Sequence, residues 1–517
     1  MAGILLLPLD DRPCNRLFPA RLARIAGLTL ISPPRELLGS FTTPGQPEAL
    51  IEWMLGKARA AQAAIVSIDM LCYGGLIASR TPEVPLELAC RRLESLRALK
   101  KSFPHLPLYA ASVIMRLSIT ADSPERLPYW RDIALFSQLD YRISKLGQKR
   151  WQEALAAIQR RIPAELLDSY LRARERNHAV NREVVKLVAD GILESAILCQ
   201  EDAAPIGPHL PEQQALIARA KELSIPQKVF LYAGADEASL LLLAKAACGA
   251  RQPRIAVCYG SREGAERVAL YEDRPIEENL ASQINASGGV MTRRPEEADL
   301  VLLVHTPTGP QRESLRLDEE TERRSRPQAR RLAQRATALL GAGARVAFAD
   351  LAYNNGADPA LVKALGAAQI LPLLAGYAGW NTAANSLGTA LAQGVLSGME
   401  KESPPSGRRQ RTDLDFLFER LVDDFLYQSL VRQEANEWAE SLGLSPLFLD
   451  RAKSEVEGFV RKRLGKLAKE FFQAHFQDRL VANGFRIARL RRLEIRLPWP
   501  RTFEVEVTAR IEIEACD

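Results

Sequence analysis

Ten short apolar runs between residues 4 and 374 constrain the fold of this chain more than any other feature. They lie at 4–9, 28–31, 64–68, 108–114, 196–199, 229–233, 254–258, 300–304, 346–349 and 370–374. They lack the inside/outside alternation of half-exposed strands, so they read as strands covered on both faces. Amphipathic helical segments, such as 86–101 and 326–340, separate them. Strand–helix alternation of this kind predicts a mostly parallel α/β sheet. The expected architecture is a (β/α)8-like barrel with extra strands, and two doubly wound domains are the alternative. Both place function in the loops at the carboxyl ends of the strands.

The 517 residues suffice for two or three domains, or for one barrel with an appendage. Residues 401–412 read KESPPSGRRQRT, where Pro, Ser, Gly and charge together mark a linker. The expected division is an α/β catalytic domain over 1–400, a linker over 401–412 and a C-terminal domain over 413–517. That last part reads as helical to about residue 483. It then ends in a β-hairpin around 493–497 and 503–513, with Pro498 and Pro500 in the connection. No internal repeat is visible.

Composition excludes several classes. The net charge of +6 is small for this length, and the Arg-rich stretch 323–335 follows Asp318, Glu319, Glu320 and Glu322. It reads as a solvated helix face, so no nucleic-acid partner is expected. Seven scattered cysteines without a C-x-x-C pair suit a reducing cytosol and argue against a disulfide framework or zinc cluster. Six apolar residues at 4–9, followed by Asp10 and Asp11, are too few for a signal peptide, and no run approaches a membrane span. A cytoplasmic protein without a membrane partner is expected. Walker, G-x-S-x-G and G-x-G-x-x-G signatures are absent from the sequence.

Nearly every apolar run empties into polar residues. Asp10, Asp11, Arg12 and Asn15 follow the first, Asp69 and Tyr73 the third, and Arg116 the fourth. Glu201 and Asp202 follow run 196–199, Asp236 and Glu237 follow 229–233, and His305 follows 300–304. Asp350, Asn354, Asn355 and Asp358 follow 346–349, and Trp380, Asn381 and Asn385 follow 370–374. A single acidic residue there is ordinary helix capping, but eight such clusters at the same strand ends point to one functional face. A helix over 165–190 adds Arg174, Asn177 and Asn181 in the middle of its core-facing stripe. Groups of that kind need partners, from either an internal network or a ligand.

Paired carboxylates in one cleft drive each other's pKa values apart and supply an acid and a base. Glycoside hydrolysis needs that arrangement, with polar groups to hold hydroxyls. Glu201–Asp202 and Asp236–Glu237 are the candidate pairs. The same carboxylates could hold Mg²⁺ or Mn²⁺ in a metal-dependent hydrolase or lyase, which is the alternative to a cofactor-free site. Of five histidines only His305 sits at a strand end, so no zinc site is expected. A non-catalytic sugar-binding protein is the third reading.

The segments PLDDRPCN, SIDMLCYGGLIASR, RNHAVN, YAGADE, DLAYNNGAD, GYAGWNTAANSLGTALA and LPWPRTFEVEV resemble a bacterial family known as domain of unknown function 4127. The resemblance spans essentially the whole chain and implies no settled activity. A second resemblance, at the level of fold, is to barrel β-N-acetylglucosaminidases of the substrate-assisted type. It implies Asp202 as general acid and Glu201 as the group orienting the substrate. It further implies that Asp350 with Asn354 or Asn355, and Asn381, hold the sugar. From the clustered polar strand ends together with the acidic pair, Asp10, Asp11, Arg12, Asp350, Asn355 and Asn381 are expected to bind hydroxyls of a small-molecule or oligosaccharide substrate. Glu-Asp stands here where those enzymes carry Asp-Asp.

Overall fold

A computed structural model describes residues 3–316, 319–399, 407–481 and 484–516. Its contacts divide the chain into two compact units. Unit 1 holds the residues up to Arg16, Thr29–Leu242 and Tyr271–Arg274; unit 2 holds Leu17–Leu28, Leu243–Leu270 and the chain from Pro275 onwards.

Unit 1 is built on six parallel strands: β1 (Gly3–Leu7), β2 (Thr29–Ile31), β3 (Ala61–Ser67), β4 (Leu108–Ile114), β5 (Ser195–Gln200) and β6 (Val229–Ala233). All six coincide with expected runs. Their spatial order is β2-β1-β3-β4-β5-β6. The reversal between β1 and β3 is the switch point of a doubly wound sheet, beside which such folds open a crevice. Helices such as Leu86–Ser102 and Ala164–Ala189 bury an apolar stripe in the unit 1 core, through Leu93, Leu96, Val180 and Val184.

Unit 2 contains β7 (Arg254–Tyr259), β8 (Val290–Thr292), β9 (Leu300–His305), β10 (Arg312–Glu313), β11 (Val346–Asp350), β12 (Tyr353–Asn354) and β13 (Gly376–Ala378). Its five-stranded parallel sheet has the order β13-β11-β9-β7-β8, and β10 and β12 form a separate short pair. The second strand again lies outside the first, so the switch point recurs between β7 and β9. Run 370–374 is not a strand. Leu371–Leu373 forms a 3-10 turn in which Pro372 has no N–H to give a ladder, and the strand follows at Gly376–Ala378. The Arg-rich stretch lies on the helix Glu319–Gly341, where Arg324 pairs with Glu320 and Arg326 with Glu322 at i,i+4 spacing.

The expected barrel is therefore corrected: among the described residues two open parallel sheets form and no closed barrel. A barrel needs each strand beside its sequence neighbour until the last meets the first, and both reversals break that order. The architectural resemblance to barrel glycosidases goes with it.

Residues 407–412 of the expected linker lie in the helix Gly407–Arg420, and 401–406 lie outside the described residues. That helix continues into a π-helical stretch, Leu421–Val431, and then into Arg432–Ser441. The helix Lys453–His475 leads to the antiparallel strands β14 (Leu480–Val481), β15 (Phe485–Arg496) and β16 (Glu506–Ala515). Phe418, Leu421, Phe472 and Ile511 share one apolar core with Val301, Phe348 and Tyr377 of the parallel sheet. The C-terminal hairpin thus belongs to the folding unit of β7–β13.

Candidate functional site

In unit 1 the β1–helix turn carries Asp10, Asp11, Arg12 and Asn15, each at least nine-tenths buried. Arg12 donates to Asp10 Oδ2 from Nε (2.9 Å) and Nη2 (2.7 Å), and to Asp236 from Nη1 (3.0 Å) and Nη2 (2.5 Å). Asn15 Nδ2 donates to both carboxylates, at 2.9 Å and 3.2 Å. Asp10 follows β1 and Asp236 follows β6. In a flat sheet four inter-strand steps of about 4.8 Å would put those strand ends roughly 19 Å apart. The loops that carry Asp10 and Asp236 therefore converge, and one arginine joins them. Asp11 is taken separately by Arg35, at 3.1 Å.

A second cluster follows β3, β4 and β5. Glu201 Oε1 pairs with Arg80 and lies 4.0 Å from Arg116, whose Nη2 pairs with Asp202. Arg80 also donates to Thr120 Oγ1 at 2.7 Å. The other oxygen of Glu201, Oε2, is buried without a hydrogen-bond partner. A carboxylate oxygen left so is costly unless something else completes it. Asp202 has φ +29°, a backbone conformation that side chains rarely adopt and that recurs at functional turns. Asp69, on the helix directly after β3, accepts from the Val113 amide at 2.9 Å. Burial pushes its carboxyl up to about 7, against the Val113 and Ser79 hydrogen bonds, and the Glu201 charge adds to the rise. Burial likewise raises Glu237 to about 8, helped by Asp236 and Glu272. Beside these strand ends a cavity of about 10 Å³, lined among others by Asn15, Ser67, Cys199 and Ser239, has room for one water.

The polar centre of the helix Ala164–Ala189 resolves as an internal network. Arg174 Nη1 donates to the carbonyls of Met115 (2.9 Å) and Arg116 (3.0 Å), and Nη2 to Glu212 (2.8 Å). Asn177 donates to Ser79 O (2.8 Å), and Asn181 donates to Val113 O (3.1 Å) while accepting from Ser112. Arg176, on the same helix, donates to the carbonyls of Thr81, Val84 and Ser79 and stacks 4.1 Å over the Tyr73 ring. Of the two sources of partners open to Arg174, Asn177 and Asn181, these hydrogen bonds supply the internal network. They tie down the loops that present Arg80, Arg116 and Asp69.

The remaining expected residues belong to unit 2. His305, fully buried at the end of β9, lies 2.8 Å from Asp358, which caps the helix Pro359–Ala367 through Ala360 N. Asp350 accepts from the Asp358 amide (2.8 Å) and Tyr377 Oη (3.0 Å), and burial raises it to about 6. Burial opposes a charged His305, yet the Asp358 hydrogen bond and the Asp350 charge hold its pKa above the usual value. From the π-helical stretch, Asp424 accepts from Gly379 N (2.8 Å) and Arg420 (2.9 Å). Burial pushes Asp424 up to about 7. Asn354 and Asn355 both donate to Glu313, at 3.2 Å and 2.8 Å, across the short β10–β12 pair. Asn355 and Asn381 have φ of +61° and +67°, and Asn355 N donates to Asn381 O at 2.9 Å.

The expected single set of loops is thus two sets, one on each sheet. Arg80, Arg176, Glu313, Asp424 and Arg432 were missed because none directly follows an apolar run. Arg80 lies in the SIDMLCYGGLIASR segment, which was the available signal. A groove of about 710 Å³ runs between helices Glu319–Gly341 and Pro359–Ala367 and is lined by none of these residues. Among the described residues no group of three or more His, Cys, Asp or Glu is placed to hold a metal ion. Among them, too, no helix is long and apolar enough to cross a membrane.

Fold and sites together define a two-unit α/β protein with buried carboxylate–arginine clusters at its parallel strand ends. The chain belongs to the family described as protein of unknown function (DUF4127), whose model matches residues 4–508. No curated protein and no solved structure matches it.

Proposed function

We propose that this protein is a hydrolase acting on a sugar or amino-sugar derivative, with Glu201 and Asp69 of unit 1 as its acid–base pair. The observation that carries the reading is the buried, unpartnered Oε2 of Glu201 beside a second carboxyl, Asp69, whose pKa is raised to about 7. One carboxyl that keeps its proton near neutrality and one with a free oxygen are what acid–base cleavage of a glycosidic bond uses. Asp202, first expected as the acid, is engaged by Arg116, so the acid role passes to Asp69. Arg80 and Arg116 hold Glu201 in place and offer cationic hydrogen-bond donors to the leaving oxygen.

A panel of aryl glycosides, N-acetylglucosaminides included, tests this. Wild type should release the aryl group, with activity falling as pH rises past about 7, where Asp69 loses its proton. Glu201→Gln and Asp69→Asn should each lose about 10²–10⁴-fold in kcat, the usual weight of a general acid or base. Equal activity in wild type and both variants removes the pair from the mechanism. A wild type inert on the whole panel removes glycoside hydrolysis itself.

A further inference from the structure

Unit 2 holds a second group of buried polar atoms that its own fold leaves unfinished. Asn354, Asn355, Trp380, Asn385 and Arg432 are each more than nine-tenths buried. The carboxamide oxygens of the three asparagines have no hydrogen-bond partner, and neither do Trp380 Nε1 and Arg432 Nε. Native interiors complete such atoms with protein, ordered water or a ligand, and five of them fall in this region.

Contacts join this region in a ring. Asn354 and Asn355 hold the two oxygens of Glu313. The amide of Asn355 donates to the carbonyl of Asn381, next to Trp380. The Trp380 ring meets Phe503 at 5.9 Å between centroids. Arg432 lies 4.6 Å over the same Phe503 ring, and the charge of Glu313 acts on it. Left-handed backbone at Asn355 and Asn381 holds the two loops in place. Backbone of that kind persists where the surroundings enforce it.

The chemistry of the free atoms selects the ligand class. Three acceptor oxygens need hydroxyl or amide donors. Two N–H donors need oxygen acceptors. A hydroxyl supplies both. Arg432 and Arg501 are balanced by Glu313 and Glu504, with Arg501 paired to Glu504 at 2.7 Å, so the site selects no net charge. We infer that unit 2 carries its own binding site for an uncharged, polyhydroxylated ligand of the sugar class, formed by Trp380, Asn354, Asn355, Asn385 and Arg432. This binding does not depend on hydrolysis at Glu201.

Ligand-observed saturation-transfer NMR on the full chain tests it, with glucose, galactose, mannose, N-acetylglucosamine and their methyl glycosides and disaccharides as probes. Wild type should give transfer from at least one of them. Trp380→Phe keeps an aromatic ring and removes Nε1, and Asn385→Ser removes a carboxamide whose oxygen makes no bond in the fold. Each should weaken binding about 5- to 10-fold, the weight of one lost hydrogen bond, beyond any shift in melting, which Asn385→Ser should leave smaller than Trp380→Phe. Glu201→Gln should bind as wild type does, even if it abolishes hydrolysis. Silence across the panel overturns the inference. Binding unchanged in both unit 2 variants, or lost in Glu201→Gln, overturns it as well.

Discussion

Replacing Arg12 with leucine tests how much unit 1 depends on the link between its first and last strands. The guanidinium makes two hydrogen bonds to Asp10 and two to Asp236, all buried. Arg12→Leu keeps an apolar stem but removes the cation that joins the two carboxylates. Removing one partner of a buried ion pair costs about 3–5 kcal/mol. At about 1.4 kcal/mol per decade, about 4 kcal/mol is nearly a thousandfold in an opening equilibrium. Hydrogen–deuterium exchange of peptides over residues 3–16 and 229–242 reads that equilibrium locally. The variant should exchange there about 10²–10³-fold faster at neutral pH. The deficit has a defined pH sign. Carboxyls buried without that cation have raised folded pKa values, against about 4 in the unfolded chain, so the folded variant binds the extra protons. The deficit is full above the raised pKa values and shrinks as pH falls toward about 4. Adding Asp10→Asn and Asp236→Asn should restore most of the protection, because a carboxamide needs no cation. Protection falling less than tenfold, or an equal deficit at pH 5 and pH 8, would refute the reasoning.

Three further outcomes follow from other parts of the molecule. Burial raises Asp69 to about 7 and Glu237 to about 8, so the folded state holds protons that the unfolded state has lost; stability should therefore decline as pH rises from about 4 to 8. Glu237→Gln should flatten that decline in denaturant titrations at fixed pH, and an unchanged slope would count against a neutral Glu237. A Cβ on Gly379 would meet Ala357 Cβ at 3.1 Å and Asp350 Cβ at 3.3 Å, so Gly379→Ala should destabilise unit 2 by about 1–3 kcal/mol in the same titrations. His305→Ala removes the partner of Asp358 in a fully buried pair and should cost about 3–5 kcal/mol, whereas Arg326→Ala, whose i,i+4 pair is exposed, should cost under about 0.5 kcal/mol.

The strands were legible because burial on both faces writes itself as a continuous apolar run. Nine of the ten expected runs are strands, and the tenth failed at Pro372, where the missing N–H turns an apolar segment into a turn. β8 went unseen because its three residues, Val290–Thr292, are short and largely exposed. The short strands β10 and β12 were equally silent, since two residues carry no period. The clusters of Asp, Arg and Asn at strand ends were read correctly as positions. Their partners were not, because a pair such as Arg12 with Asp236 is separated by 224 residues and leaves no local pattern.

By itself the sequence determined that this chain forms parallel α/β layers with polar, acidic loops after its strands, since hydrophobic period and turn chemistry are local properties. Only the tertiary structure decided the order of those strands. A barrel and two doubly wound sheets bury the same runs and need the same helices, so nothing local separates them. The reversals at β1–β3 and β7–β9 did. They divided one expected ring of loops into two sets. Tertiary packing also decided the partners of Arg174, Asn177 and Asn181. Whether the polar centre of the helix Ala164–Ala189 meets a ligand or a carbonyl depends on which strands and loops lie against it, and here those are the chain segments around Ser79 and Val113–Arg116.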